Sequence, residues 1–221
     1  MTELIRRMVS GGLLLSVAAC TNSITPTPIA LPDGPVVFSH ATAETITEAF
    51  ASCSSLDPDT QEPVAHAESS YFQVFDVAAR NLEEDFLLTE FDFAVHTASS
   101  LGGSQPVSVI LHILDGEDIQ NGVLTEFARQ ELSLQDMSKD THTVTFDPPQ
   151  TVAKDTRLAV EIYTASDQEN ENLFILGLNN SPHNGPSYLR LPDCGVTETA
   201  ELGAAFPELS LDGFLFELRG E

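Results

Sequence analysis

The chain has 221 residues, 42% of them apolar, and its 34 acidic against 9 basic side chains give a formal charge of −25. That apolar share can build a core and excludes wholesale disorder. The charge excludes nucleic acid as a partner, since such a surface repels phosphates, and it argues against docking of the folded part on anionic lipid.

Residues 1–19 hold Arg6 and Arg7, then an apolar run through Leu13, Leu14 and Leu15 to Ala19. The run is shorter than the roughly 20 residues a membrane-spanning helix needs, so it reads as an export signal. It ends Val17-Ala18-Ala19-Cys20, which resembles the lipobox of bacterial lipoproteins. That resemblance implies cleavage before Cys20, a diacylglycerol on its thiol and an acyl group on its new amine. The protein then meets the membrane through this lipid anchor, and several acyl chains hold far more firmly than one. Thr21 stands where an Asp marks inner-membrane retention in enteric bacteria, so the resemblance implies the outer membrane in a host that has one. Residues 20–35 carry Pro26, Pro28, Pro32 and Pro35 without apolar periodicity, the signature of a semi-extended tether.

The folded domain is expected over 36–221. Val36-Val37-Phe38 suits a first short strand, and Ile46, Ala49 and Phe50 fall on one side of a brief helix over 41–50. A polar loop is expected over 54–69, after Cys53. Strands then dominate. The stretch 70–75 is aromatic and β-branched, and in 86–95 Phe91 and Phe93 alternate with Glu90 and Asp92. The run 107–114 is apolar enough to be central, while 124–134 fits strand or helix by periodicity and reads as strand because Val144 and Phe146 follow a polar turn at 136–140. Further strands are expected at 157–163, at 173–178, which is apolar on both faces, and at 211–218. Between the last two, 179–186 is dense in Asn, Pro and Gly, and 187–194 ends in Cys194. Many short strands spaced by turns give an all-β, antiparallel, jelly-roll-like β-sandwich with at most one short N-terminal helix after the signal.

Ser-Tyr-Phe-Gln-Val-Phe-Asp-Val at 70–77, Leu-Ala-Val-Glu-Ile at 158–162, Phe-Ile-Leu-Gly-Leu-Asn-Asn at 174–180, Gly-Pro-Ser-Tyr-Leu at 185–189 and Asp-Cys-Gly-Val-Thr at 193–197 occur in this order. As a set they resemble a β-sandwich module that recurs in secreted, often multidomain bacterial proteins and has no established catalytic activity. Gln73 departs from it, standing where the module often has Arg, and 205–209 follows its Gly-Phe-Pro-x-Met-like element only in part. The resemblance speaks to fold more than to function.

Catalytic signatures are missing: no His-Glu-x-x-His, Gly-x-Ser-x-Gly or P-loop pattern occurs. The six histidines, at 40, 66, 96, 112, 142 and 183, show no close ligand spacing, although His112 and His142 can approach in space and His183 lies in a reachable loop. No cofactor is expected. Ca²⁺ is the ion the oxygen-dense turns 115–118 and 167–172 would attract, yet neither matches an EF-hand loop, and a solvated turn is the plainer reading of each. With no Trp and three Tyr, the chain offers few rings to stack on a sugar. The expected function is therefore a non-catalytic, lipid-anchored envelope protein for display, adhesion or binding of a glycan or protein ligand. The alternatives are an envelope hydrolase working on glycans through loop carboxylates, and a structural subunit of an outer-membrane assembly. Once Cys20 is acylated, Cys53 and Cys194 remain, and the oxidising envelope favours a disulfide between them.

Overall fold

The computed structural model describes residues 34–42, 45–209 and 212–221. The export signal, Cys20 and all but the last two residues of the tether lie outside the described residues. The domain is an antiparallel β-sandwich. One sheet has six strands in the order β13 (Val196–Glu201), β12 (Ser187–Leu191), β4 (Ser69–Asp76), β9 (Arg157–Thr164), β6 (Ser104–Asp115) and β7 (Val123–Gln135). The other has five, centred on β5 (Phe86–Ser99). Along one edge β5 pairs with β8 (Met137–Val152). Its opposite edge is shared end to end by β15 (Phe216–Gly220), which β1 (Val36–Ser39) extends, and β10 (Leu173–Leu176).

Alternation decides which side chains enter the space between the sheets. On β4, β6 and β9 the inward set is Tyr71, Phe75, Val107, Val109, Leu111, Leu158, Val160 and Ile162, all buried. The five-stranded sheet answers with Leu88, Phe91, Phe93, Phe174, Phe216 and Leu218. Aromatic rings meet edge to face, Tyr71 on Phe214 at 5.4 Å and Phe91 on Phe216 at 5.1 Å between centroids. Each such ring removes on the order of 150–250 Å² from water, so the phenylalanines carry much of the cohesion.

The split edge of β5 has a sharp junction. β15 is in register with Leu88 to Phe93, and β10 with Val95 to Ser99, so the change of partner falls at Ala94. Ala94 N–H donates to Leu215 O and its carbonyl accepts from Gly177 N–H, at 3.1 and 2.9 Å. A Cβ on Gly177 would come within 2.7 Å of the Ala94 Cβ, so only glycine lets the chains close here. Past the junction, β11 (Leu178–Asn179) and β14 (Gly213–Phe214) leave the sheet as a small pair. Gln73, fully buried on the inner face of β4, reaches across and donates through Nε2 to Phe214 O and Ser187 Oγ, at 2.7 and 3.0 Å.

Four sequence expectations change. The 173–178 strand is broken at Gly177, and the 211–218 strand is interrupted at Leu215, for the reason just given. The expected polar loop over 54–69 contains a hairpin of β2 (Ser54–Leu56) and β3 (Pro63–His66). The helix expected over 41–50 does not form in its described part: 45–50 is non-helical, and Thr47 N–H donates to Leu178 O, 131 residues away, where a helix would use the carbonyl four residues back. Its apolar residues serve docking, with Phe50 tilted on the His96 ring at 5.3 Å. The α-helix present among the described residues is a single turn, α1 (Leu202–Ala205).

Cys53 and Cys194 are joined, with sulfurs 2.05 Å and Cα atoms 5.8 Å apart. The bond ties the segment before the β2–β3 hairpin to the end of β12 across a sequence separation of 141. Chain-entropy arithmetic for such a loop gives an upper figure of about 5 kcal/mol. Reduction is therefore expected to lower stability by about 2–5 kcal/mol, read as a fall in the urea midpoint with dithiothreitol present. An unchanged midpoint would show that this clasp contributes nothing.

Candidate functional site

A cavity of about 350 Å³ opens on the outer face of the five-stranded sheet, beside the junction at Ala94. Register builds its floor: Ser39 on β1, Glu217 on β15 and Asp92 on β5 form one cross-strand row on this face. Leu215, Ala94 and Thr141 lie one step along, and Ala41 and Thr42 form a wall. That wall is pinned at the far side by an isolated bridge between Ala41 and His183, by Asn184 N–H donating to His40 O, and by Thr42 Oγ1 donating to Pro182 O.

The electrostatics centre on Arg219. Its guanidinium donates to Glu217 Oε1 and Glu90 Oε2, each at 2.8 Å, and to Asp92 Oδ2. Three carboxylates thus share one cation. Asp92 is 8% exposed, far more buried than an ordinary aspartate, and its Oδ1 has no hydrogen-bond partner. Nothing in the sequence singled out this group. Glu90 and Asp92 read as the solvent side of a half-buried strand, and the arginine that gathers them lies 127 residues after Asp92.

The outer face of the six-stranded sheet carries a second polar group. His112 Nε2 and Glu161 Oε2 stand 2.8 Å apart, both residues nearly buried. Arg129 forms a two-point contact with Glu126, and Ser108 Oγ donates to Glu131 at 2.6 Å. Because the Ser108 hydroxyl is committed to Glu131, it is not aligned on His112, and the pair lacks the nucleophile–base contact that hydrolysis by a serine requires.

His112 and His142, considered as a pair from the sequence, are placed apart: His112 meets Glu161 on one sheet, while His142 packs on Phe93 of the other at 5.5 Å. His183 lies beside the cavity wall, its ring so close to Gly213 that a Cβ there would meet it at 2.2 Å. The acidic turns spend their oxygens locally. Asp118 Oδ1 accepts from the backbone N–H of Gln120 and Asn121, and Asp167 accepts from the side-chain amides of Asn170 and Asn172. Among the described residues no group of three or more His, Cys, Asp or Glu is arranged to hold a metal ion.

No family model matches the chain, and no curated protein matches it. Among solved structures, the cysteine protease and lectin-like domains of Cwp84, a surface layer associated protein of Clostridium difficile, superpose with a TM-score of 0.46 and 11% identity over 71% of this chain and 33% of that one. A clostridial Cwp84 after propeptide cleavage gives 0.45 and 12% over 72% and 37%. The chain spans about a third of each, and a likeness of this size carries no functional argument.

His66 serves the fold. It is buried, takes the Phe174 N–H on Nδ1 at 3.1 Å, and its Nε2 stands 2.9 Å from Ala165 O. These contacts fit the neutral ring with its proton on Nε2, and protonation would remove the acceptor that Phe174 uses. Burial accordingly holds its pKa below the ordinary 6.5, and burial lowers His40, His96, His142 and His183 too. A base whose pKa is lower in the folded state gives stability that is complete above the unfolded value and lost as pH falls below it. The urea midpoint should therefore fall between about pH 7.5 and pH 5.5. His66→Gln should start lower and show a shallower fall. A midpoint that stays flat over this range contradicts the assignment.

Proposed function

We propose that the protein is a non-catalytic binding module of the cell envelope, held by a lipid on Cys20 and offering the cavity beside Ala94 to a small ligand. The observation that carries this is the cavity of about 350 Å³ on the outer sheet face, with the Asp92–Arg219 ion pair among the groups that line it. A concave, mostly pre-formed hollow with polar groups at its floor is the ordinary form of a small-ligand site. Rigid strands position its floor: Asp92 sits mid-strand on β5 between Phe91 and Phe93, both anchored in the core. The lipobox-like Val17-Ala18-Ala19-Cys20 supports the anchor, and the proline-bearing stretch that follows supports presentation at a distance from the bilayer.

Two measurements test this function. Cys20→Ala should lose the acyl mass increment and leave the membrane fraction, or remain uncleaved. A variant processed and retained like the wild type would remove the anchor from the account. Purified protein should turn over glycoside, ester and peptide substrates at background rates, and a turnover abolished by one carboxylate-to-amide change would replace binding with hydrolysis.

A further inference from the structure

Every polar group of His66 is engaged with one neighbour, the segment 165–174. The ring accepts the Phe174 N–H on Nδ1 at 3.1 Å, and Nε2 stands 2.9 Å from Ala165 O. Its backbone N–H donates to Asn172 O at 2.9 Å, and its carbonyl accepts from Asp167 N–H at 3.2 Å. The rest of the β2–β3 hairpin adds little hold. Leu56, Val64 and the turn 58–62 are exposed, and across 54–66 only Ala65 is buried besides His66. The hairpin nevertheless keeps its own shape, because Asp57 Oδ1 accepts from the N–H groups of Asp59 and Thr60, and Asp57 N–H donates to Glu62 O. Its root is pinned twice, by the Cys53–Cys194 disulfide and by Ala67 N–H donating to Cys53 O at 2.7 Å. A preformed unit is thus hinged at 53 and 67 and latched to the body through one residue.

We infer that residues 54–66 are an acid-released flap: protonation turns His66 Nδ1 from acceptor to donor, the latch on β10 opens, and the hairpin swings out while the disulfide keeps its root in place. Two N–H groups then face each other where one bond stood, and opening lets both find water. The Phe174 N–H and the Asn172 carbonyl lose their partners together, so release bares the edge of β10 that is not paired with β5. The charged group that faces the ring is Asp167, whose carboxylate accepts from the side-chain amides of Asn170 and Asn172. β2 and β10, Ser-Ser-Leu and Leu-Phe-Ile-Leu, bring no titratable side chain. Burial opposes the imidazolium more than Asp167 and the nearby carbonyls favour it, so protonation is coupled to release. The flap is independent of the cavity beside Ala94.

Hydrogen exchange read by mass spectrometry on the full-length, disulfide-intact protein in detergent tests this, with rates corrected for the intrinsic effect of pH. Between about pH 6.5 and about pH 5.0 the protection of 54–66 and of Phe174 should fall by up to about thirtyfold, approaching tenfold per pH unit, the signature of a single histidine. Over the same exposure the amides of β4, β5, β6 and β9 should remain unexchanged. His66→Gln offers a neutral amide that accepts and donates at any pH, so it should abolish the acid response of the hairpin. His96→Gln removes the competing trigger, the ring under Phe50 ahead of the flap, and should leave that response intact. Hairpin and core strands exchanging at one common rate overturns the inference, because the event is then global unfolding. So does protection that does not change with pH, a fall steeper than one proton allows, a response kept in His66→Gln, or one lost in His96→Gln. The slope and the contrast with the core are read on the wild type, so they decide the matter even where His66→Gln does not fold.

Discussion

The architecture depends on one backbone constraint, the sharing of a single edge of β5 between two strands. A strand buried in the interior of a sheet must have its N–H and C=O groups paired on both sides, and for β5 the sandwich meets that demand with β15 over one half of this edge and β10 over the other. Neither can run on past Ala94 without colliding with the other. Both therefore turn out of the sheet, and the turn exposes backbone groups inside the core. Gln73 answers for one of them at Phe214 O, and the Ser187 hydroxyl accepts from Phe214 N–H at 2.9 Å. Leaving a buried carbonyl unpaired costs about 1–3 kcal/mol, which is why an amide stands on an inward position otherwise given to Tyr71 and Phe75. The cavity is a by-product of the same geometry, since it opens where the two strands part.

The N-terminal part of the domain is held by a different means. Its hairpin is short, and its buried residues are small: Ala51, Cys53, Ala65 and Ala67. Area alone gives these side chains little hold. Two specific links make up for it, the disulfide to Cys194 and the imidazole of His66, which bonds at once to Ala165 and to Phe174 of β10. The strap that follows β1 is held by backbone and by ionic contact, with Thr47 on Leu178 and Glu48 on Lys139. Each link joins residues far apart in sequence.

That distance explains what the sequence disclosed and what it hid. Strand alternation is local, so β4, β5, β6 and β9 were legible from runs such as Phe91 and Phe93 against Glu90 and Asp92. The Cys53–Cys194 bond was legible by elimination and compartment. The β2–β3 hairpin was hidden because Pro58, Pro63 and four acidic or polar neighbours read as loop, although pairing with Ser54 to Leu56 needs only a few residues. The false helix over 41–50 arose because a strap lying on a sheet buries apolar residues at spacings a helix would also use. Asp92 was out of reach for a third reason: its register with Glu217 and its contact with Arg219 are tertiary, and its burial follows from them.

The parting of β15 and β10 lies beside the hollow on the outer face of the five-stranded sheet that we propose as the ligand site. Amide chemical-shift mapping of the folded protein against a mixed panel of small cations, polyols and carboxylates tests it most directly. The account predicts shifts gathered at Asp92, Ala94, Thr141 and Leu215, with the amides of Ser108, His112 and Tyr163 on the other sheet unmoved. Shifts gathered on that second face, or absent throughout, would contradict it.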